Sequence, residues 1–124
     1  FMVGNDSTWA IEVNPRFQGT VDTVERACGC SLFDLHVNAC RGEIPASAPS
    51  PVCIAARSIL FADRDMTVKT DLSPLREYLS DIPWPNSFFE EDQALVSVSG
   101  WGATRAEAMA LLDKHITTVR QYMR

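Results

Sequence analysis

The chain has 124 residues, which is enough for one domain with a modest core. Its formal net charge is −5 and it has no basic cluster, so we expect neither nucleic acid nor an anionic membrane as a partner. No apolar run approaches the roughly 20 residues that a membrane-spanning helix needs.

The start of the chain predicts a hairpin. Residues 1–4 and 9–12 are two short strand-like segments, and residues 5–8 form the turn between them. Ile11 and Val13 alternate with polar residues, which is the pattern of a half-buried strand.

The end of this strand carries the residues with the clearest chemistry. Glu12 and Asn14 share one face of the strand, because its side chains alternate between faces. Their carboxylate and amide oxygens are hard ligands that suit Mg²⁺, which commonly takes only one or two protein ligands beside phosphates and water. Pro15 ends the strand, and Arg16 follows with a planar guanidinium suited to a phosphate. The three polar side chains therefore predict a site for a metal–phosphate complex.

Two short helices are predicted between residues 20 and 42. Thr20 is the expected N-cap of the first helix, and Gly29 ends it. Ser31 with Asp34 is a weak capping box for the second helix, which ends at Gly42. Apolar residues recur at helical spacing on both helices: Val21, Val24 and Cys28 on the first, and Leu32, Leu35, Ala39 and Cys40 on the second.

The cysteines Cys28, Cys30, Cys40 and Cys53 allow a disulfide framework or, with His36, a zinc site. Their spacing fits no common zinc pattern, and a chain of this length needs no disulfide staples. We favour buried free thiols, since a free cysteine behaves as a small hydrophobe. Free thiols in turn predict a reducing, cytoplasmic setting.

The second half of the chain predicts a small sheet. Residues 43–51 form a proline-rich, extended connector. Residues 52–62 predict a strand, 63–65 a turn, and 66–70 a short partner strand. One helical turn is expected after Ser73 and Pro74.

A last strand and a long helix complete the pattern. Residues 83–86 are irregular, and residues 93–99 alternate as a strand with Ala94, Val96 and Val98 facing away from Leu95. The capping box Thr104-x-x-Glu107 starts a helix with a buried stripe at Met109, Leu112, Ile116, Val119 and Met123. Its outer face carries Arg105, Asp113, Lys114 and Arg120. The whole predicts an α+β fold, with an antiparallel sheet and a long C-terminal helix packed on it.

Several features have two interpretations. Residues 18–20 form either a phosphate loop or the plain start of a helix, and 100–102 either an anion site or, as we favour, a tight strand-to-helix turn. We expect His36 to be a packed or edge histidine rather than a base, and His115 to lie on the exposed side of the last helix. An aromatic loop is either an exposed binding patch or packs over the sheet edge; it contains Trp84, Phe88 and Phe89.

The segment Glu12-Val-Asn-Pro-Arg16 resembles the C-terminal metal-binding strand of the ATP-grasp superfamily, and most closely carboligases related to biotin carboxylase. The resemblance implies that Glu12 and Asn14 hold the Mg²⁺ ions bridging the phosphates of ATP, and that Arg16 lies near the transferred phosphoryl group. Three downstream segments are also similar to that family: residues 19–42, 57–62 and 100–108.

The resemblance implies an ATP-dependent carboxylate ligase that forms an acyl phosphate, with ATP and Mg²⁺ as cofactors and an unknown carboxylate as substrate. In that family the lysines that hold ATP lie well upstream of the motif, whereas Lys69 and Lys114 lie downstream here. A second acidic ligand would fall at or before Phe1. We therefore expect the C-terminal part of a longer protein, inactive by itself.

The same resemblance divides the chain into three parts. Residues 1–42 correspond to the end of the ATP-grasp catalytic lobe, 43–51 to the connector, and 52–124 to a small α+β C-terminal subdomain. The alternative function is a non-catalytic docking or dimerisation module, in which that subdomain forms a homodimer.

Overall fold

A computed structural model describes residues 2–13 and 16–123 of the chain. These residues form a mixed α+β fold, which confirms the predicted class. The strands are β1 (Met2–Val3), β2 (Thr8–Trp9), β3 (Ile54–Phe61), β4 (Met66–Val68), β5 (Leu79–Ser80), β6 (Ser87–Phe89) and β7 (Ala94–Gly102). The helices are α1 (Val21–Cys28), α2 (Leu32–Cys40) and α3 (Arg105–Tyr122), with a 3₁₀ turn at Ser73–Leu75.

The strand β7 is the middle of a three-stranded antiparallel sheet, with β3 on one side and β5 on the other. Its sequence alternation predicts Ala94 on the same face as Val96 and Val98, opposite Leu95. In the structure Ala94 is exposed, whereas all four residues from Leu95 to Val98 are buried. A central strand covered on both faces buries successive side chains, so a period of two does not describe its burial.

The helix α3 packs on this sheet and begins where the sequence predicts. Thr104 Oγ1 accepts a hydrogen bond from the Glu107 N–H at 3.2 Å, and Glu107 Oε2 accepts one from the Thr104 N–H at 3.3 Å, which confirms the capping box. Leu112 is buried as predicted, but Met109 is 40% exposed, so its expected place in the buried stripe is wrong. Ala108 is buried instead. The charged residues predicted on the outer face are all exposed: Arg105, Asp113, Lys114 and Arg120.

Two glycines of β7, Gly100 and Gly102, allow the helix α3 and the central strand to lie close together. The expected tight turn at residues 100–102 is wrong, because β7 continues through Gly102. A Cβ built on Gly100 would lie 2.5 Å from the Ala108 carbonyl oxygen and 2.6 Å from the Leu112 Cα. Glycine is therefore needed here because another backbone approaches it, and the same approach explains why the small Ala108 replaces Met109 in the buried stripe.

Replacing Gly100 with alanine is expected to lower the free energy of unfolding by about 3 kcal/mol, since the new methyl group overpacks the helix backbone. Urea unfolding monitored by circular dichroism measures this loss. Gly42→Ala is the matched control: its φ of 84° is strained for alanine, but no atom lies within 4 Å of the new Cβ. We expect a cost of about 1 kcal/mol there, and an equal or larger loss at Gly42 would contradict the packing argument.

The short strand β4 pairs with β6 in a separate two-stranded ribbon, so the prediction that it pairs with β3 is wrong. The reason lies in the turn after β3. The Ala62 N–H donates to the Gln93 carbonyl at 2.9 Å, and the Asp92 N–H donates to the Ala62 carbonyl at 2.9 Å. These bonds hold the end of β3 to the start of β7. The chain after Ala62 therefore does not fold back onto β3, and β4 pairs with β6 instead. The helical turn expected after Ser73 and Pro74 is confirmed.

The first region has helices at the predicted places but little buried surface. Gly29 ends α1 with a φ of 62°, as predicted, and Ser31 Oγ accepts from the Asp34 N–H at 3.1 Å, which is one of the two hydrogen bonds of the predicted capping box. The expected N-cap role of the Thr20 side chain is wrong, since it makes no capping hydrogen bond. None of the residues of α1 and α2 is buried, and Val24 is 41% exposed. Residues 43–50 are exposed and contain no helix or strand, as expected for the connector.

Within the described ranges, no helix combines the length and the apolar character that crossing a membrane requires.

Candidate functional site

The motif segment lies at the surface rather than in a sheet. β1 and β2 form the predicted hairpin, but the predicted half-buried strand at residues 11–13 is wrong. Ile11 and Val13 are 64% and 85% exposed. The hairpin pairs only Met2 with Trp9 and Val3 with Thr8, and residues 11–13 are not paired as a strand.

Two of the three predicted site residues can be placed. Glu12 and Arg16 are both exposed. Asn14 lies outside the described residues, so its predicted proximity to Glu12 on one face is not tested. Over residues 2–13 and 16–123 no group of three or more His, Cys, Asp or Glu side chains gathers as metal ligands. Because Mg²⁺ commonly uses only one or two protein ligands, the site at Glu12 and Asn14 stays a prediction.

The cysteines are four free thiols, and their burial differs from the expectation. Cys28, Cys30 and Cys53 are half-buried, but Cys40 is exposed, so its predicted burial on an apolar helix face is wrong. Burial raises the pKa of the Cys30 thiol, with smaller contributions from Cys28 and Glu25. A raised pKa keeps this thiol protonated and lowers its nucleophilicity.

The two histidines have different surroundings. His36 is exposed and presents its ring at 5.8 Å to that of Phe17, which agrees with an edge histidine. The prediction that His115 is exposed is wrong. Its Nδ1 lies 2.8 Å from the Ser99 carbonyl oxygen, and its ring stacks on Tyr78 with centroids 3.8 Å apart. Because a carbonyl only accepts, Nδ1 carries the hydrogen, and His115 joins α3 to the strand β7.

The segment at residues 18–20 behaves as the start of a helix. The Val21 N–H donates to the Gln18 carbonyl at 3.0 Å, and the Val24 N–H donates to the Thr20 carbonyl at 3.1 Å. The Val21 N–H, in the first turn of the helix, is bonded within the chain, which favours the plain helix start over the phosphate loop.

A polar cleft of about 460 Å³ separates α1 from the segment that carries β5. Both signs of charge line it, and Ser80 Oγ donates a hydrogen bond to Asp22 Oδ2 across it. Arg26 closes one side: its Nη2 donates to the Glu77 carbonyl at 2.9 Å, and its guanidinium lies 4.1 Å from the centroid of the Trp101 ring. This cation–π contact accounts for Trp101, which the sequence offered as part of an anion site.

A second polar cluster, formed by Arg57, Asp81 and Ser97, was missed by sequence reasoning. Arg57 Nη2 donates to Asp81 Oδ2 at 2.7 Å and to Ser97 Oγ at 2.5 Å, and Ser97 Oγ donates to Asp81 Oδ2 at 2.7 Å. Ser97 is buried, and the Arg57 side chain is 17% exposed. The sequence did contain a signal, because Arg57 is the single charged residue in a mostly apolar strand. A charged side chain that is buried in this way needs a hydrogen-bonding or ionic partner.

The residues of the aromatic loop differ in their exposure, and whether the exposed ones form a binding patch stays a prediction. Trp84 and Phe88 are 84% and 59% exposed, whereas Phe89 packs against the hydrophobic core.

The chain was compared with family models, with curated proteins and with solved structures, and none of them matches it.

Proposed function

We propose that this chain is the C-terminal part of an ATP-dependent carboxylate ligase of the ATP-grasp type. The observation that carries the proposal is the motif Glu12-Val-Asn-Pro-Arg16, whose hard oxygen ligands and guanidinium occur together within five residues. The exposure of Glu12 and Arg16 supports it, because neither side chain belongs to the hydrophobic core. The four free thiols support a reducing, cytoplasmic setting.

Each residue has one role in this proposal. Glu12 and Asn14 bind Mg²⁺ through their side-chain oxygens, and the ion orients and neutralises the phosphates of ATP. Arg16 places a planar, permanently charged guanidinium beside the phosphoryl group, where it stabilises the charge of the transition state. The γ-phosphoryl group passes to a carboxylate, ADP leaves, and a nucleophile then displaces phosphate from the acyl phosphate.

The test compares residues 1–124 with the intact protein that contains them. By itself the chain is expected to turn over no ATP above a Glu12→Ala control, because both lysines lie downstream of the motif. The intact protein is expected to release ADP, and not AMP, in a reaction that requires Mg²⁺ and a carboxylate. Turnover by residues 1–124 would contradict the first expectation, and AMP release or Mg²⁺-independent turnover would contradict the second.

The second candidate is a non-catalytic docking or dimerisation module, and the exposed aromatic residues favour it. Trp84 lines one pocket together with Ile59 of β3, an edge strand of the sheet whose Ile59 and Phe61 are 42% and 55% exposed, and the exposed Phe88 lies in the ribbon of β4 and β6. Exposed apolar residues near a sheet edge are typical of an interaction surface. The sequence of the parent gene distinguishes the candidates: upstream lysines and an acidic residue just before Phe1 support the ligase, and their absence supports the module.

A further inference from the structure

Gly19 lies directly against the guanidinium of Arg57. A Cβ built on Gly19 would lie 3.2 Å from Arg57 Cζ and 3.3 Å from its Nη2. The positive-φ glycines among the described residues are Gly29 and Gly42, so the Gly19 backbone has a conformation that other residues adopt. Glycine is therefore needed at this position because of the close approach, and not because of its φ.

The guanidinium cannot easily move away from this contact. Asp81 and Ser97 hold Arg57 Nη2 by charge-assisted hydrogen bonds, which are stronger than neutral ones. Arg57 Nε is buried and has no hydrogen-bond partner among the described residues. An unpaired buried donor costs stability, so the hydrogen bonds to Nη2 and the packing against Gly19 outweigh that cost in this arrangement.

We infer that Arg57 is a positioning residue that holds the Gly19 backbone against the sheet and thereby limits where Arg16 lies. Gly19 is three positions after Arg16, a distance of at most about 11 Å in an extended chain. The catalytic meaning of this inference rests on the proposed function, whereas its structural meaning rests on the contact alone. Asp81 and Ser97 act through Arg57 by fixing the plane of its guanidinium.

Hydrogen–deuterium exchange of residues 1–124, followed by mass spectrometry, tests the inference without any nucleotide. In Arg57→Lys and Gly19→Ala, the Val21 amide and the rest of the first turn of α1 are expected to exchange about tenfold faster, because local opening becomes easier. The amides of α3 are expected to keep their wild-type rates. Arg64→Lys is the matched control, since Arg64 is an exposed surface residue, and it is expected to change neither region.

Two further tests follow, and the first of them keeps the inference testable if Arg57→Lys fails to fold. Asp81→Asn removes the charge that holds the guanidinium but tolerates the φ of 56° at this position, because asparagine adopts left-handed backbone readily. It is expected to raise exchange in the first turn of α1 alone. In an Arg57→Ala background, Gly19→Ala is expected to have no additional effect, since the three atoms nearest to its methyl group all belong to the Arg57 guanidinium.

Wild-type exchange at Val21 in both Gly19→Ala and Asp81→Asn would overturn the inference, as would equal effects of Gly19→Ala with and without Arg57. An activity assay of the intact protein is a separate arm. If Gly19→Ala loosens α1 and also lowers Mg²⁺-dependent ADP release, the positioning role extends to catalysis. If the first turn of α1 exchanges faster in the variants but even the wild-type intact protein releases no ADP, the positioning role holds and the proposed ligase function fails.

Discussion

Leu112→Ala is expected to lower the free energy of unfolding by about 2–5 kcal/mol, the usual cost of removing a large buried apolar side chain. Leu112 is 3% exposed and belongs to the core cluster between α3 and the sheet. Chemical unfolding followed by circular dichroism gives the value directly.

The matched control for this prediction is Met109→Ala on the same helix. Met109 is 40% exposed, so we expect its loss to cost less than about 1 kcal/mol. If the two variants lost similar stability, α3 would not bury the stripe that the structure assigns to it.

In the intact protein, Glu12→Gln and Arg16→Lys are each expected to lower Mg²⁺-dependent ADP release at least about 100-fold, with little change in the unfolding temperature. Glutamine keeps the size of Glu12 but loses the charge that binds the ion. Lysine keeps the charge of Arg16 but is a point charge that cannot reproduce the planar fork. Asn14→Ala belongs to the same set and is expected to behave in the same way. The assay is ADP release, with thermal unfolding measured on the same samples.

Arg41→Lys is the control for Arg16→Lys, because Arg41 is also exposed and lies outside the motif. It is expected to leave ADP release unchanged. Motif variants that unfold while Leu112→Ala stays stable would instead make the segment from Glu12 to Arg16 a structural element, and the catalytic assignment would be wrong.

Several features that depend on neighbouring residues were predicted well, although the N-cap at Thr20 was not. The capping box at Thr104 and Glu107, the end of α1 at Gly29 and the N-cap at Ser31 all involve groups within four residues of one another. The expected strand at 52–62 also appears, as β3. Such signals survive in an isolated sequence because the interaction that they describe is itself local.

Features that depend on distant residues were predicted poorly. The pairing of β4 with β6 joins segments about twenty residues apart, and β5 and β6 are too short to show a pattern. His115 was expected at the surface because its position on the helix is polar in pattern, yet Tyr78 and Ser99 meet it there. Nothing along the chain near residue 115 indicates those partners.

The candidate site likewise has one part that the sequence predicts and another that only the tertiary structure shows. By itself the sequence predicts Glu12, Asn14 and Arg16 as the residues of a metal–phosphate site, because donor type and spacing are properties of the chain. Only the tertiary structure shows that the Arg57 guanidinium contacts Gly19 and that the backbone of α3 packs against Gly100. Both contacts join residues of different elements, so no local pattern in the sequence indicates them. Local hydrogen bonding and hydrophobic periodicity determine where elements begin and end, whereas close packing between elements determines which single atoms can fit between them.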